Sequence, residues 1–224
     1  MKKVVVFTGA GISAESGLAT FRDKDGLWDK YKLEDVATYS GFENNPNKVL
    51  KFYNQRRLKM INAKPNKAHF ALNKLCEKYE LTIITQNIDD LHERSGSERV
   101  IHLHGKLSQA KSIINNKIYE INGAELNLGD LCELGAQLRP NVVWFGEEVE
   151  NMDLAVKLVV EASIFIIVGT SLNVFPAASL IDNAVNSERI ILIDLKPNFI
   201  NGIEIHSGNA TDLVPKIIDE ILNL

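Results

Sequence analysis

Five short apolar runs of this sequence end in polar residues, and four of the five carry side chains suited to binding a sugar or a phosphate. VVVF is followed by TGAGIS, LTII by TQNIDD, VIHL by HG, IFIIV by GTS, and IILI by Asp194. Hydroxyl, amide and carboxylate groups hydrogen-bond ribose hydroxyls, and backbone N–H groups at a helix N-terminus bind phosphate. This recurrence is the first functional signal in the chain.

The TGAGIS segment is a candidate phosphate-binding loop. Gly9, Gly11 and Gly17 follow the strand-like VVVF run, with Ser13 and Ser16 as candidate helix caps. Their spacing differs from G-x-G-x-x-G, and the following LATFRDKDGLWDKY is too rich in charge and glycine for a crossover helix. A glycine pair by itself fits a plain tight turn as well as a phosphate cradle.

The apolar runs predict strands that alternate with helices. Strands are expected at VVVF, LTII, VIHL, NVVW, IFIIV, IILI and IEIH. Helical patterns lie at Asn66–Tyr79, Met152–Ala162, Ala177–Asn186 and Ala210–Leu224. Such alternation predicts an α/β fold whose parallel sheet is covered on both faces. Because ligands collect at the carboxyl ends of the strands in such sheets, the polar segments are expected to share one site.

Composition places the chain among ordinary globular proteins. Of its 224 residues, 45% are hydrophobic and 24% charged, and the net charge of −4 gives no general attraction to nucleic acid or an anionic membrane. Cys76 and Cys132 form no C-x-x-C motif, and no segment has the length of a secretory signal or a membrane span. These features predict a cytoplasmic protein.

Two segments interrupt the alternation of strands and helices. Residues 25–61 contain a predicted helix, Pro46–Ile61, and residues 108–137 lack a long apolar run. We expect both to form a small second domain, with residues 1–24, 62–107 and 138–224 forming the large one. A nicotinamide dehydrogenase is disfavoured, because its second strand should begin about 30 residues after the first. Here that strand, Leu81–Thr85, comes far later.

Six segments together resemble one known family. GAGISAESG, TFRDKDGLW, TQNIDDLH, HLHG, RPNVVWFGE and GTSLNVFPAA, in this order, are similar to the motifs of sirtuins, the NAD-dependent protein lysine deacylases. The match covers nearly the whole chain outside residues 108–137. It implies a Rossmann-like domain with a small inserted domain, and NAD consumed as a substrate. Nicotinamide leaves, the acyl oxygen attacks the ribose, and the acyl group ends on ADP-ribose.

His102 and His104 are two residues apart and point to the same face of a strand. From the residues alone, a satisfied core histidine is favoured, and a metal pair lacks an evident third ligand. The resemblance makes His104 the general base that activates a ribose hydroxyl, which suits an imidazole of ordinary pKa, ~6.5. It also places Gln86, Asn87 and Asp89 around the ribose, with Asn87 and Asp89 as catalytic residues.

The resemblance implies further contacts to NAD. They are Gly9, Ala10, Gly11, Ile12 and Ser13 in the diphosphate loop; Phe21, Arg22 and Trp28 in the loop that closes over the cofactor; Gln86, Asn87, Ile88 and Asp89; Gly169, Thr170 and Ser171; and Asp194, Leu195, Lys196 and Ala210. Asp194 stands where many sirtuins have Asn. A strand-end Asp accepts ribose hydroxyls and repels a 2′-phosphate, which favours NAD over NADP.

The segments RPNVVWFGE and SLNVF resemble the two strands between which sirtuins bind the acyl-lysine peptide as an added strand. This mode draws its affinity from backbone hydrogen bonds. Phe145, Gly146 and Val174 would line the cleft. Trp144 and Phe145 fit a purely structural role about as well, because alternate residues of a strand face opposite ways.

The small domain departs from the family in its cysteines. Sirtuins usually carry two C-x-x-C pairs in the segment matching residues 108–137, where this chain has Cys132 alone. One cysteine cannot build a tetrahedral thiolate zinc site. We expect a zinc-free lobe held by apolar packing of Ile113, Ile114, Ile118, Tyr119, Ile121, Leu126, Leu128 and Leu131.

Tyr53 and Arg56 are three residues apart on a predicted helix and therefore share a face. Taken alone, they fit an exposed phenol beside an exposed guanidinium. The resemblance changes this interpretation, because the same Tyr-x-x-Arg spacing marks the sirtuin branch that removes succinyl, malonyl or glutaryl groups. An arginine fork and a phenol donor are well matched to a carboxylate at the end of an acyl chain.

Two other functions remain open at this point. The chain could be an NAD or ADP-ribose sensor that has lost turnover, although a sensor does not need the base His104. It could also transfer ADP-ribose to proteins.

Overall fold

The computed structural model describes residues 1–20 and 31–223. In chain order the elements are β1 (Lys3–Thr8), α1 (Gly11–Ala14), α2 (Leu33–Val36), α3 (Tyr39–Asn44), α4 (Pro46–Asn62), α5 (Lys67–Asn73), β2 (Glu80–Thr85), α6 (Leu91–Arg94), β3 (Val100–His102), β4 (Gly105–Ser112), β5 (Ile118–Glu120), β6 (Leu138–Val142), α7 (Met152–Val160), β7 (Ile164–Val168), β8 (Arg189–Asp194), β9 (Glu204–Ser207) and α8 (Ala210–Leu222). Within these described ranges, no helix is both long and apolar enough to cross a membrane.

Six parallel strands form the main sheet in the order β3-β2-β1-β7-β8-β9. The order reverses at β1, whose neighbours are β2 on one side and β7 on the other. Thr8, the last residue of β1, pairs with Thr85 and Val168 at the ends of these neighbours. In open parallel sheets such a switch point leaves a crevice at the carboxyl ends of the strands.

The sheet is buried on both faces, as the alternation of strands and helices predicts. Val4 and Val6 of β1 point to one face and pack against α5 and α8. Val5 and Phe7 point to the other face and pack with residues of α7. Continuous runs of β-branched and aromatic residues therefore form central strands, because both sides of each strand are covered.

A second sheet, antiparallel and in the order β5-β4-β6, lies apart from the first. The NVVW run is predicted as a strand of the parallel sheet, and this is wrong. The strand β6 is Leu138–Val142 and pairs antiparallel with β4. An apolar run indicates burial, but it does not say which strand lies beside it.

The expected packing of the small lobe is also wrong in most of its residues. Leu126 is buried and Ile121 is partly buried, whereas side chains on the 113–131 segment are largely exposed: Ile113, Ile114, Ile118, Leu128 and Leu131. The lobe core comes instead from α4, through Phe52, Tyr53 and Met60, which pack with Leu107 and Trp144.

Polar side chains of α4 hold the loop before β6. Arg57 is fully buried and donates to the carbonyl oxygens of Leu107, at 2.7 Å, and Ala124, at 3.0 Å. Asn54 bonds both the carbonyl and the N–H of Leu126, at 3.1 and 3.0 Å. These bonds satisfy the backbone of a loop that has little apolar packing of its own.

Several helix predictions differ from the structure at their ends. The predicted helix Asn66–Tyr79 is α-helical over Lys67–Asn73 and continues as a 3₁₀ helix over Lys74–Glu77. The stretch predicted as Ala177–Asn186 is a 3₁₀ helix over Ala177–Asn183. Neither serine of the first loop caps a helix, since α1 follows Ala10 without a side-chain cap.

Candidate active site

A cavity of about 750 Å³ lies at the carboxyl ends of β1, β2, β7 and β8 and extends to α4 and β6. It brings together the polar residues that follow the four main-sheet strands, and it also reaches the residues expected at the acyl-lysine. The predicted site residues that line it are Gly9, Ala10, Gly11, Ser13, Tyr53, Arg56, Gln86, Asn87, Ile88, Asp89, His104, Phe145, Gly146, Gly169, Thr170, Ser171, Val174, Asp194, Leu195, Lys196 and Ala210. One crevice therefore contains nearly the whole predicted set.

One predicted residue does not line the cavity, and three others are not described. The side chain of Ile12 is fully buried in the core between β1 and the α5–α8 face, so it is not a cavity contact. Phe21, Arg22 and Trp28 lie outside the residues that the structure describes.

The glycines of the first loop allow two backbones to approach closely. Gly11 N donates to Gly169 O at 2.8 Å, and Gly9 N donates to Val168 O at 3.0 Å. A Cβ built on Gly9 or Gly11 would lie 2.7 or 2.8 Å from Gly169 O, closer than a real Cβ contact. Both loops can therefore bring backbone to the same ligand, as a diphosphate site requires.

The turn after β2 is fixed by a short hydrogen-bond relay. Asn87 Nδ2 donates to Ser13 Oγ at 3.2 Å, and Ser13 Oγ donates to Asp89 Oδ2 at 3.1 Å. Leu91 N donates to Asp89 Oδ1 at 3.1 Å. Burial raises the pKa of Asp89 above its ordinary value. Ser13 therefore links the first loop to Asn87 and Asp89.

His104 is oriented so that one ring nitrogen is left for a ligand. Its Nδ1 lies 3.1 Å from the carbonyl oxygen of Gln86. Because a carbonyl oxygen only accepts, Nδ1 carries the proton and Nε2 keeps its lone pair. Burial lowers the pKa of His104, which keeps the ring neutral near neutrality. The arrangement suits a general base.

His102 has a structural environment instead. Its Nδ1 lies 2.9 Å from Asn87 O, and its Nε2 lies 2.9 Å from Glu93 Oε1. Lys106 Nζ donates to the same Glu93 oxygen at 2.8 Å. Although burial acts in the opposite direction, these bonds lower the pKa of Glu93 to about 2. His102 thereby hydrogen-bonds the Asn87 carbonyl and helps to hold the turn after β2 in place.

A buried network below the site could not be found from the sequence. His92 Nε2 lies 2.9 Å from Thr8 Oγ1, which donates to Thr85 Oγ1 at 2.8 Å. Thr85 Oγ1 accepts from Asn87 N at 3.0 Å. The ring of His69 lies 5.0 Å from that of His92, and burial lowers their pKa values to about 4 and about 3. Thr8 and Thr85 begin the TGAGIS and TQNIDD segments, but the sequence does not show that their side chains meet each other and His92.

At the end of the cavity next to α4, Tyr53 and Arg56 both line the wall. Tyr53 is 1% exposed, and the Arg56 guanidinium carbon lies 5.8 Å from its ring centre. Burial raises the pKa of Tyr53, so the phenol keeps its proton. Phe145 and Val174, about half exposed, line the opening.

At the opposite end, Asp194 is at the end of β8 and its Oδ1 accepts from Lys196 N at 2.9 Å. Thr170 Oγ1 donates to Gln86 Oε1 at 2.9 Å, which ties the GTS segment to the turn after β2. Ala210 begins α8 beside the cavity. Glu15, Lys59, Asn173 and Asn209 also line the cavity and are not among the predicted site residues, since neither the motifs nor the helix pattern shows which way these side chains point.

Comparison with known proteins agrees with this geometry. The sequence profile described as "Sir2 family" matches residues 9–176. The chain belongs to the Sir2 family. A protein of Helicobacter pylori strain J99 named "NAD-dependent protein deacylase" is 48% identical over 226 residues, covering 98% of this chain and 97% of that protein. A Bacteroides thetaiotaomicron protein of the same name is 45% identical over 222 residues, covering 96% and 93%.

Solved structures of Sir2 proteins have the same fold. A Sir2 homologue in complex with NAD has a TM-score of 0.90 at 40% identity, covering 99% of this chain and 90% of that one. A Sir2 protein bound to an acetylated peptide has a TM-score of 0.83 at 31% identity, covering 97% and 92%. The sirtuin resemblance in the motifs is thus confirmed, as is the α/β class with its separate small sheet.

Proposed function

We propose that this member of the Sir2 family is an NAD-dependent protein lysine deacylase that removes acyl groups ending in a carboxylate as well as acetyl groups. NAD-dependent protein deacylation is the activity named for its relatives at 45–48% identity. The observation that carries the finer assignment is the pair Tyr53 and Arg56, on one face of α4 inside the same cavity as His104.

The cavity fits NAD along its length. Gly9 and Gly11 lie so close to Gly169 that no side chain fits between the two loops. Their backbone N–H groups can therefore approach a diphosphate. Asp194 supplies a carboxylate for ribose hydroxyls, and its charge disfavours a 2′-phosphate. When bound, NAD supplies a ribose that takes the acyl group and a nicotinamide that leaves.

The turn residues hold fixed dipoles where positive charge develops on that ribose. Asn87 and Asp89 are locked through Ser13, so their groups need no reorganisation during the reaction. His104 accepts the proton of a ribose hydroxyl at Nε2, while Gln86 O holds its Nδ1–H.

The acyl chain would end between a guanidinium and a phenol. Arg56 offers a charged fork and Tyr53 a single O–H donor; Tyr53 is buried, Arg56 is partly exposed, and burial lowers the pKa of the Arg56 guanidinium. A carboxylate that is buried there gains charge-assisted hydrogen bonds, which are stronger than neutral ones. An acetyl group has no terminal carboxylate, so it forms no charge-assisted hydrogen bond with Arg56 or Tyr53.

The first test is the Arg56→Met variant, assayed on succinyl-lysine and acetyl-lysine peptides of one sequence. Removing the guanidinium should lower kcat/KM for the succinyl peptide by at least ~30-fold, equivalent to a charge pair of about 2–5 kcal/mol. The acetyl peptide should lose far less. Lys51→Met removes an exposed positive charge from the same helix and serves as the matched control. Equal losses on both peptides would show that Arg56 supports the fold or NAD binding instead.

Release of nicotinamide distinguishes an active enzyme from a sensor, and the product that carries the ADP-ribose distinguishes a deacylase from a transferase. Protein, NAD and acyl-peptide together should release nicotinamide and form acylated ADP-ribose. Intact NAD binding without release would identify a sensor, and labelled ADP-ribose on protein would identify a transferase.

A further inference from the structure

The side chain of Trp144 donates a hydrogen bond to the phenol of Tyr53. Trp144 Nε1 lies 2.9 Å from Tyr53 Oη, and the two residues are 2% and 1% exposed. An indole N–H can only donate, so Tyr53 Oη is the acceptor in this bond. The direction of the bond therefore does not depend on any choice of hydrogen position.

This direction decides where the single proton of Tyr53 can point. One lone pair of Oη is occupied by the indole N–H, so the O–H must turn to the other side of the phenol. Tyr53 lines the cavity beside Arg56, where the end of the acyl chain would lie. A carboxylate accepts hydrogen bonds and cannot donate them once ionised, so only a phenol that points its proton at it contributes.

We infer that Trp144 is a positioning residue for acyl specificity: its indole N–H occupies the acceptor side of Tyr53 Oη and so turns the phenol proton toward an acyl carboxylate. This inference rests on the proposed function and deepens it. It assigns the preference for carboxylate-ended acyl groups to three residues, with Trp144 acting through Tyr53.

The indole is itself clamped in place. The guanidinium carbon of Arg139 lies 3.9 Å from the Trp144 ring centre, a cation–π contact. Glu147 binds Arg139 at 2.6 Å and accepts from Trp144 N at 2.8 Å. Because the ring cannot swing, the N–H direction is fixed before substrate arrives.

The test replaces the N–H without changing the shape of the ring. Benzothienylalanine at position 144 substitutes sulfur for the N–H group, and Trp144→Phe is the simpler companion. Each is assayed with NAD on succinyl-lysine and acetyl-lysine peptides of one sequence, and the readout is the ratio of the two kcat/KM values. Phe42→Leu disturbs packing against the same indole but leaves the N–H, so it is the matched control.

The expected result is a fall of about three- to tenfold in the succinyl-to-acetyl ratio for the sulfur isostere, seen mainly in KM of the succinyl peptide, the size of one ordinary hydrogen bond. Tyr53→Phe should lower the ratio at least as much. With both changes present, the ratio should fall no further than with Tyr53→Phe alone, because the indole acts through the phenol. Phe42→Leu should leave the ratio unchanged.

Two outcomes would overturn the inference, and they are distinguishable from failure of the proposed function. If Tyr53→Phe lowers the ratio but the isostere does not, Trp144 has no positioning role while the acyl assignment stands. An additive effect in the double variant also overturns it, since Trp144 would then act independently of Tyr53. If Tyr53→Phe leaves the ratio unchanged, the proposed carboxylate specificity itself is wrong.

Discussion

The unprotonated Nε2 of His104 gives the proposed reaction a defined pH dependence. In the proposed mechanism the neutral ring is the base, so kcat/KM should fall as pH drops through its pKa. Burial lowers that pKa, so the acidic limb should lie below ~6.5, the value of an unperturbed histidine. Nicotinamide release measured from pH 5 to 8 with saturating NAD checks this. A limb centred above that value would mean that His104 is stabilised in its charged form.

The buried pair His69 and His92 predicts a pH dependence of stability. In the unfolded chain a histidine takes up a proton near pH ~6.5, whereas in the fold burial lowers the pKa of His92 to about 3. The unfolded state therefore binds more protons between these values, and the free energy of unfolding decreases as pH falls below ~6.5. Each such histidine contributes up to about 1.4 kcal/mol per pH unit.

Urea unfolding at pH 7, 6 and 5 should show this slope. His92→Gln, which can keep a donor near Thr8, should make the slope shallower by up to one histidine's share. His206→Gln is the control, because that side chain is 31% exposed at the sheet edge. An unchanged slope in His92→Gln would show that His92 is protonated within the fold.

In the small lobe, side chains of α4 bind backbone carbonyls in the region where sirtuins usually carry a zinc site. Among the described residues, no group of three or more His, Cys, Asp and Glu is placed to hold an ion. Instead Arg57, from α4, caps the carbonyls of Leu107 and Ala124. We propose that these bonds take the place of zinc, with Asn54 completing the loop contacts.

The corresponding prediction tests whether Arg57 or a zinc ion stabilises the small lobe. Purified protein should carry no stoichiometric zinc by elemental analysis, and chelation should leave activity unchanged. Arg57→Met should lower the free energy of unfolding by about 1–3 kcal/mol, the cost of leaving buried carbonyls without donors. Stoichiometric zinc that is lost together with activity would refute the proposal. Arg56→Met, one residue away, should affect specificity more than stability.

Much of the main sheet could be predicted from the sequence, because β-branched runs such as VVVF and IFIIV are buried on both faces and leave few alternatives. The strand β6 could not, since its apolar residues are the same whether its neighbour is parallel or antiparallel. The prediction that Ile113 and Ile114 are buried in the lobe was wrong for a related reason. An apolar side chain tends to be buried, but the sequence does not show whether another element covers it.

The candidate site could be predicted where a motif gives several residues at fixed spacing, as in TQNID and GTS. It could not be predicted where the contact depends on three dimensions. Thr8, Thr85 and His92 meet only because β1, β2 and α6 are adjacent, and Trp144, just after β6, reaches Tyr53 on α4. Side-chain directions of this kind are properties of the assembled fold.

At the scale of the whole molecule, the cavity lies between the main sheet and the small lobe, so a ligand that fills it should stabilise the fold. ADP-ribose at 100 times its Kd should add about 2.7 kcal/mol and raise Tm. Gly9→Ala should abolish this shift and cost about 1–3 kcal/mol in stability, because its Cβ would lie 2.7 Å from Gly169 O.

Gly17→Asn is the control for that experiment. Gly17 has a φ of +86° and nothing within 4 Å of an added Cβ, and Asn tolerates this region better than other residues. The ADP-ribose shift in Tm should survive in Gly17→Asn. A shift that also survives in Gly9→Ala would show that the first loop does not contact the ligand.

The central position of β1 also shapes how the chain can fold during synthesis. Val4 pairs with Leu81 on one side and with Ile164 on the other. Because β1 precedes both of its partners in the chain, it leaves the ribosome before them and must wait for β7 before the middle of the sheet is complete. Pairings so distant along the chain close large loops and form slowly. During that wait VVVF is an exposed apolar strand with two open edges, a target for chaperones and for mispairing between nascent chains.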